Sequence, residues 1–391
     1  MTIEKTVLPG KVIAIGLLAS FFFLTSSSAL MADSTMFQAN LERSGVYEDA
    51  GPRSGPALAW KFDAGAAVFS TPLVYGGVVY FVDFDGGVYA VNQDDGSLLW
   101  EKNLGGQPSF QITMNEDVLL VGRLFSEEDD GSYLMAIDPE SGEERWKFET
   151  DDRSGMDSPT IYNDMVFLAS MSNYIFSLDL ATGEEVWRHP ISGGDRQPLV
   201  SNGVLYFQDV SQVIYAISPE DGGVQWSYTP PTDKHWHFST PVIESCYIYA
   251  LINGDEGSAV AKINKVSGEL ESEFPIEFSS MSSVSLADNV AFFGDDGGGH
   301  TGAYGYMNAM NAESGEIVWR FETEGFVRGA ASIAGDTVYF GSHDHYLYAV
   351  DRHTGEKKWR YETGAGIASA PAVVDGRVYF GSIDGHVYVL E

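Results

Sequence analysis

The chain has 391 residues, and 22 Lys+Arg against 56 Asp+Glu give it a formal net charge of -34 at pH 7. A surface that acidic repels phosphate backbones and anionic lipid, so nucleic acid is not an expected partner, and the scattering of the acids through the chain reads as solubility, as in a salty medium. The single cysteine, Cys246, excludes an intramolecular disulfide; in the strand-like run SCYIYAL it reads as a buried small hydrophobe.

Residues 1–32 read as an export signal. Lys5 and Lys11 precede an apolar stretch from Val12 to Leu24, and small polar TSSSALMA follows, which places cleavage after Ala29 or Ala32 rather than retention as an anchor. The apolar stretch is too short to cross a bilayer comfortably, so no transmembrane segment is expected after cleavage. Residues 33–56 are rich in Gly, Pro and Ser and follow neither helical nor strand period, which predicts a linker or a strap lying across the first structural unit.

From residue 57 onward one unit repeats. Ser70 to Val74 is a short strand, Gly76 to Phe81 an apolar-aromatic strand after a tight turn, and Gly87 to Val91 a third. A fourth follows through a fixed grammar: a small residue, an Asx two positions on, a Gly four further and a Trp four beyond that. Ala90-Val-Asn92 leads to Gly96 and Trp100, and Ala309-Met-Asn311 to Gly315 and Trp319. The same spacing generates Trp146, Trp187, Trp226 and Trp359, while Trp60 stands in a last strand that no unit precedes. The tryptophans recur about every forty residues, except between Trp226 and Trp319, where INKVSGELES is a copy without its Trp. The chain stops at GSIDGHVYVLE, just where a Gly and a Trp are due, so the strand around Trp60 supplies what the C-terminus lacks. The fold class expected is all-β: a single eight-bladed β-propeller of four-stranded antiparallel blades over residues 57–391, closed by N- and C-terminal strands sharing one blade. The repeated Trp reads as a ring wedged between neighbouring blades, with the Gly turn supplying positive φ.

Ala349 to Trp359, AVDRHTGEKKW, carries this grammar most fully. The units resemble the pyrroloquinoline-quinone-type (PQQ-like) propeller repeat from about Ala57 to Glu391, nearest to the BamB-like outer-membrane assembly factor propellers. That resemblance implies an exported, periplasmic or extracellular, non-catalytic scaffold that binds another protein or a cell-envelope component through one face as a monomeric propeller. It also implies that an Arg in the fourth-blade region touches the barrel partner. Arg196, in GGDRQP, lies there, whereas the acidic pair expected ahead of a Thr-Pro is missing before Thr240-Pro241, and so is a lipid-bearing cysteine. The other branch of the resemblance is the quinone-dependent dehydrogenases, which implies PQQ, a calcium ion on carboxylate and amide ligands, an Asp general base and, in many members, a disulfide between neighbouring cysteines. One cysteine and units of only about forty residues without insertions argue against that branch, so neither cofactor nor metal is expected. A third reading is carbohydrate or polymer binding.

Loops that gather on one propeller face carry basic and aromatic residues against the acidic background, which makes that face the candidate binding surface: Arg153, Arg196, His235, Trp236, His237, Phe326, Arg328, His343 and His345. His343 and His345, flanking Asp344, could join His386 in a metal site, though solvated turn histidines are the simpler reading. Asp295 to Gly299 and Gly254 to Gly257 resemble calcium-loop fragments without the full oxygen set and read as turns.

Overall fold

Exposure along the strands dictates the architecture. Second and third strands of a unit are buried almost throughout, as in Val78–Val82 and Tyr133–Ile137, because neighbouring sheets cover both of their faces. Fourth strands alternate: Ile317–Thr323 buries Trp319 and presents Ile317, Val318 and Arg320 to solvent. Sheets of this kind pack face to face around an axis, with only the outermost strand wet.

The computed structural model describes residues 33–125, 131–150, 158–171, 173–194, 196–231, 239–254, 257–297 and 304–391. The export signal read in residues 1–32 lies outside them, as do Arg153, His235, Trp236 and His237. The described residues form eight sheets, each a run of antiparallel strands close in sequence, to which strands from the head of the chain are added in blades seven and eight. Blade one starts at Leu73, blade two at Thr113, blade three at Thr160, blade four at Leu199, blade five at Val242, blade six at Ser285, blade seven at Ser332 and blade eight at Ala372. In blade eight, Leu58–Asp63 pairs antiparallel with His386–Leu390, Lys61 opposite Tyr388, so the two ends of the described chain share one sheet, as the truncated repeats require. A continuous apolar cluster including Trp60, Phe81, Tyr379 and Phe380 joins blade eight to blade one.

The repeated grammar has a bonding reason. In blade six the Asn311 side-chain oxygen accepts the backbone N–H groups of Glu313 and Ser314, and Gly315 N–H closes the turn on Asn311 C=O. A bulge after Ala309 then aligns Ala309 with Trp319 across the hairpin. Six of the repeat indoles donate their N–H to a backbone carbonyl on the next blade, Trp60 to Gln93, Trp100 to Pro139, Trp146 to Leu180, Trp187 to Pro219, Trp226 to Lys265 and Trp319 to Arg352, at 2.8–3.1 Å. The ring lies on the neighbour's turn glycine so closely that a Cβ at Gly355 would stand 2.7 Å from Trp319. In blade five Ser272 occupies the Trp spacing, and Phe274, two residues on and on the same face, supplies the ring that covers Gly315.

Blade eight has no hairpin between its third and fourth strands, so Trp359 lacks a turn to cap. Its indole N–H donates instead to Pro52 C=O at 2.9 Å, and Tyr339 Oη donates to the same carbonyl. Pro52 belongs to the segment that the sequence lays across the first blade. That segment crosses seven blades. Innermost strands present unpaired backbone N–H groups to the channel, and the carbonyls of residues 34–45 receive them in ring order. Val74 donates to Ser34, Met114 to Thr35, Val200 to Leu41, Ile243 to Glu42, Leu286 to Ser44 and Ile333 to Gly45, all at 2.8–3.0 Å. Val46–Tyr47 then adds a short parallel strand to blade seven, and Asp49 takes the N–H of Asp375 in blade eight.

The blade the segment's backbone skips, the third, is reached by Arg43. Its guanidinium is fully buried and donates to Phe37 C=O and Thr160 Oγ1 at 2.8 Å, with Pro198 C=O at 3.5 Å. Burial pulls its pKa down to about 9, which leaves it charged at neutral pH.

Cys246 departs from the sequence reading. It is exposed, because the strand boundary falls after it: Ser245 and Cys246 form the hairpin turn between Glu244 and Tyr247, with Ser245 at φ 55°. Among the described residues no helix is long and apolar enough to cross a membrane.

Candidate functional site at the channel mouth

Two residues before the first paired position of each innermost strand, the eight blades place equivalent side chains around the channel end opposite the segment. In blade order they are Thr71, Gln111, Ser158, Gln197, Thr240, Ser283, Ala330 and Ala370. Six polar positions are followed by two alanines, so the ring is lopsided. All but Thr71 line a cavity of about 290 Å³. Phe37, from the segment that fills the far end, packs on Ala330 and Ala370 and forms its floor. The remaining wall is mainly Phe110, Leu124, Met171 and Met281, with Arg196 and Arg328 as its only charged members among the described residues.

Neighbours in the ring bond to one another. Gln111 Oε1 accepts Thr71 N–H at 3.3 Å, and Ser283 Oγ accepts Thr240 N–H at 3.0 Å. Gln197 is buried, and among the described residues neither its Nε2 nor its Oε1 has a hydrogen-bond partner. An amide in that state costs about 1–3 kcal/mol for each unmet group.

Of the residues singled out in the sequence, Arg196 and Arg328 reach this cavity. Arg328 is held by Asp296 through two bonds, Nε to Oδ1 at 3.1 Å and Nη2 to Oδ2 at 3.0 Å, and its guanidinium carbon stands 4.4 Å over the Phe326 ring. Phe326 in turn meets His343 edge to face at 6.0 Å. Burial, and then the charge of Arg328, lower the His343 pKa below the ordinary 6.5, so the imidazole is neutral at pH 7. Asp344 is committed to Tyr348 Oη at 2.7 Å and to the backbone N–H groups of Glu324 and Tyr346, while His386 leans on Asp384. Among the described residues no three His, Cys, Asp or Glu side chains converge as metal ligands. Asp295 is likewise built into its sheet, accepting from Asn308, Gly297 and Tyr306.

The sequence reading missed the ring itself and the apolar patch beside it. Phe69, Phe84 and Phe110 meet edge to face at 5.7 Å across blades one and two, with Phe84 and Phe110 exposed. The signal was present as Ser-Thr-Pro in blades one and five, Ser-Pro in blade three and Gln-Pro in blade four, but only the register shows that these residues share one rim with their counterparts in the other blades.

The family model described as outer membrane protein assembly factor BamB matches residues 33–154, 129–297 and 303–391. The BamB of Moranella endobia is 24% identical over 224 residues, which cover 55% of this chain and 56% of that one, so the chain spans about half the length of the curated relatives it matches. A crystal structure of BamB from Moraxella catarrhalis superimposes with a TM-score of 0.69 at 19% identity, covering 86% of this chain and 100% of that one. A europium-containing methanol dehydrogenase superimposes at 0.75 with 14% identity, covering 92% of this chain and 98% of that one, which shows a common fold. With most of its length matched, this chain belongs to the family described as outer membrane protein assembly factor BamB.

Proposed function

We propose that the protein is an exported, non-catalytic scaffold of the cell envelope that binds a polypeptide partner through the open mouth of its channel. One observation carries the reading: one end of the channel is bonded shut by the chain's own residues 34–49, while the other keeps an apolar cavity whose wall includes exposed Phe110 and Met171. Exposed aromatic and methionine side chains around a cavity, rimmed by Arg and polar groups, are the composition of an interface core. Family membership supports the same reading, since its members are described as acting in outer-membrane protein assembly.

A quinone dehydrogenase is the second reading, favoured by the common fold with methanol dehydrogenase. A calcium-held quinone needs several hard oxygen ligands, carboxylates above all. The described lining offers hydroxyls and amides, no carboxylate, and an arginine already engaged by Asp296, so these residues do not fit that group.

The single cysteine provides the test. Cys246 lies in a turn following an innermost strand, toward the closed end. A photoreactive maleimide there, compared with one on Met171→Cys in a Cys246→Ser background, should capture one discrete envelope protein in cells from the mouth position only. Equal capture from both positions, or from neither, refutes the reading. PQQ- and calcium-dependent dye reduction by the purified protein would establish the dehydrogenase instead.

A further inference from the structure

We propose that the cavity at the mouth is a socket for one large apolar side chain of that partner, whose adjoining peptide group pairs with the Gln197 carboxamide. The inference deepens the reading above and rests on it.

Size comes first. An apolar cavity of about 150 Å³ is enough to hold benzene, and sites for drug-sized ligands start near 300 Å³. At about 290 Å³ the socket suits a single side chain with its backbone link better than an extended ligand. Its wall chemistry agrees: Phe37 closes the floor, Ala330 and Ala370 form a smooth flank, and Met171 and Met281 can adjust their shape to the entering group.

Gln197 then selects what accompanies the side chain. Its ring equivalents Gln111 and Ser283 bond to neighbouring blades, whereas its own amide finds neither a donor nor an acceptor among the described residues. A peptide group offers one N–H and one C=O, the complement of a carboxamide. A bare hydrocarbon would leave the amide unmet. An anion is disfavoured because Asp296 already neutralises Arg328 and Arg196 is engaged as well. A sugar would need many polar partners from a wall that is chiefly apolar.

The experiment follows the methionine methyls by NMR in the full chain labelled at its 11 methionines, with Met171 and Met281 assigned by Met→Leu variants. The probe is N-acetyl-phenylalanine methylamide, compared with toluene and glucose. Saturable shifts of the Met171 and Met281 methyls are expected with the capped amino acid. Gln197→Leu should weaken that binding about tenfold, the worth of one or two hydrogen bonds, and leave toluene unaffected. Ala370→Phe should abolish both by filling the socket, and Gln197→Met serves if the leucine variant does not fold. No shift near the probe's solubility limit, equal affinity in the Gln197 variants, or tighter binding of glucose overturns the proposal. Cross-linking from Met171→Cys without probe binding refutes the socket but leaves the scaffold reading intact. Probe binding without cross-linking does the reverse.

Discussion

The two ends of the channel are built from the same repeat and finished in opposite ways. At the closed end, six innermost strands donate a backbone N–H to a carbonyl of residues 34–45, and a buried arginine bonds only to neutral oxygens. At the other end, the equivalent rim is capped by no other segment among the described residues, and one of its two arginines, Arg328, is partly exposed and tied to the Asp296 carboxylate. One end has become core; the other has stayed a surface with a hole in it. The difference teaches that a ring of repeats does not determine its own channel: a non-repeating segment of a few residues decides which end is filled.

The largest test compares the two arginines. Arg43→Ala should lower unfolding free energy by about 3 kcal/mol or more, because it opens a void and strands Phe37 C=O. Arg328→Ala should cost about 1 kcal/mol or less, its partner being partly solvated. Urea denaturation measures both, and similar losses would erase the distinction between the ends.

Gly45 gives the next effect. It sits at φ 71°, and a Cβ there would stand 2.5 Å from Ser285 Oγ, so Gly45→Ala should destabilise by about 1–2 kcal/mol in the same assay. At the mouth the expectation reverses. Phe110→Ala and Met171→Ala should change stability by about 0.5 kcal/mol or less, yet lower capture of the partner several-fold, as quantified by cross-link yield. A stability loss at these positions matching that of Gly45→Ala would mean that the rim is structural.

The smallest expected effect is a pH slope. His343 titrates below 6.5 when folded, so between that lowered value and 6.5 the unfolded chain binds a proton that the native one does not. Stability should therefore fall as pH drops below about 6.5, and His343→Gln should flatten that part of the curve. Denaturation midpoints at stepped pH values measure it.

Spacing alone reveals the blades because the Asx turn, the positive-φ glycine and the wedged ring are local and repeat with their neighbours. The truncated ends reveal the closure for the same reason. Phe274 escapes notice because its ring reaches Gly315 from two residues beyond the expected place, which a fixed spacing cannot register. Cys246 reads as buried until the hairpin boundary is known. Arg196 and Arg328 stand out as basic residues in acidic surroundings, but the ring containing Gln197 combines positions far apart in sequence, related only by strand register.

What the amino-acid order determined by itself is the repeat, the number of blades and the clasp between Leu58–Asp63 and His386–Leu390, since each follows from contacts between adjoining units. Tertiary structure alone decided which end of the channel residues 34–49 close. Residues 33–56 carry no period to read, and their conformation comes from edge N–H groups that exist only once the ring has formed.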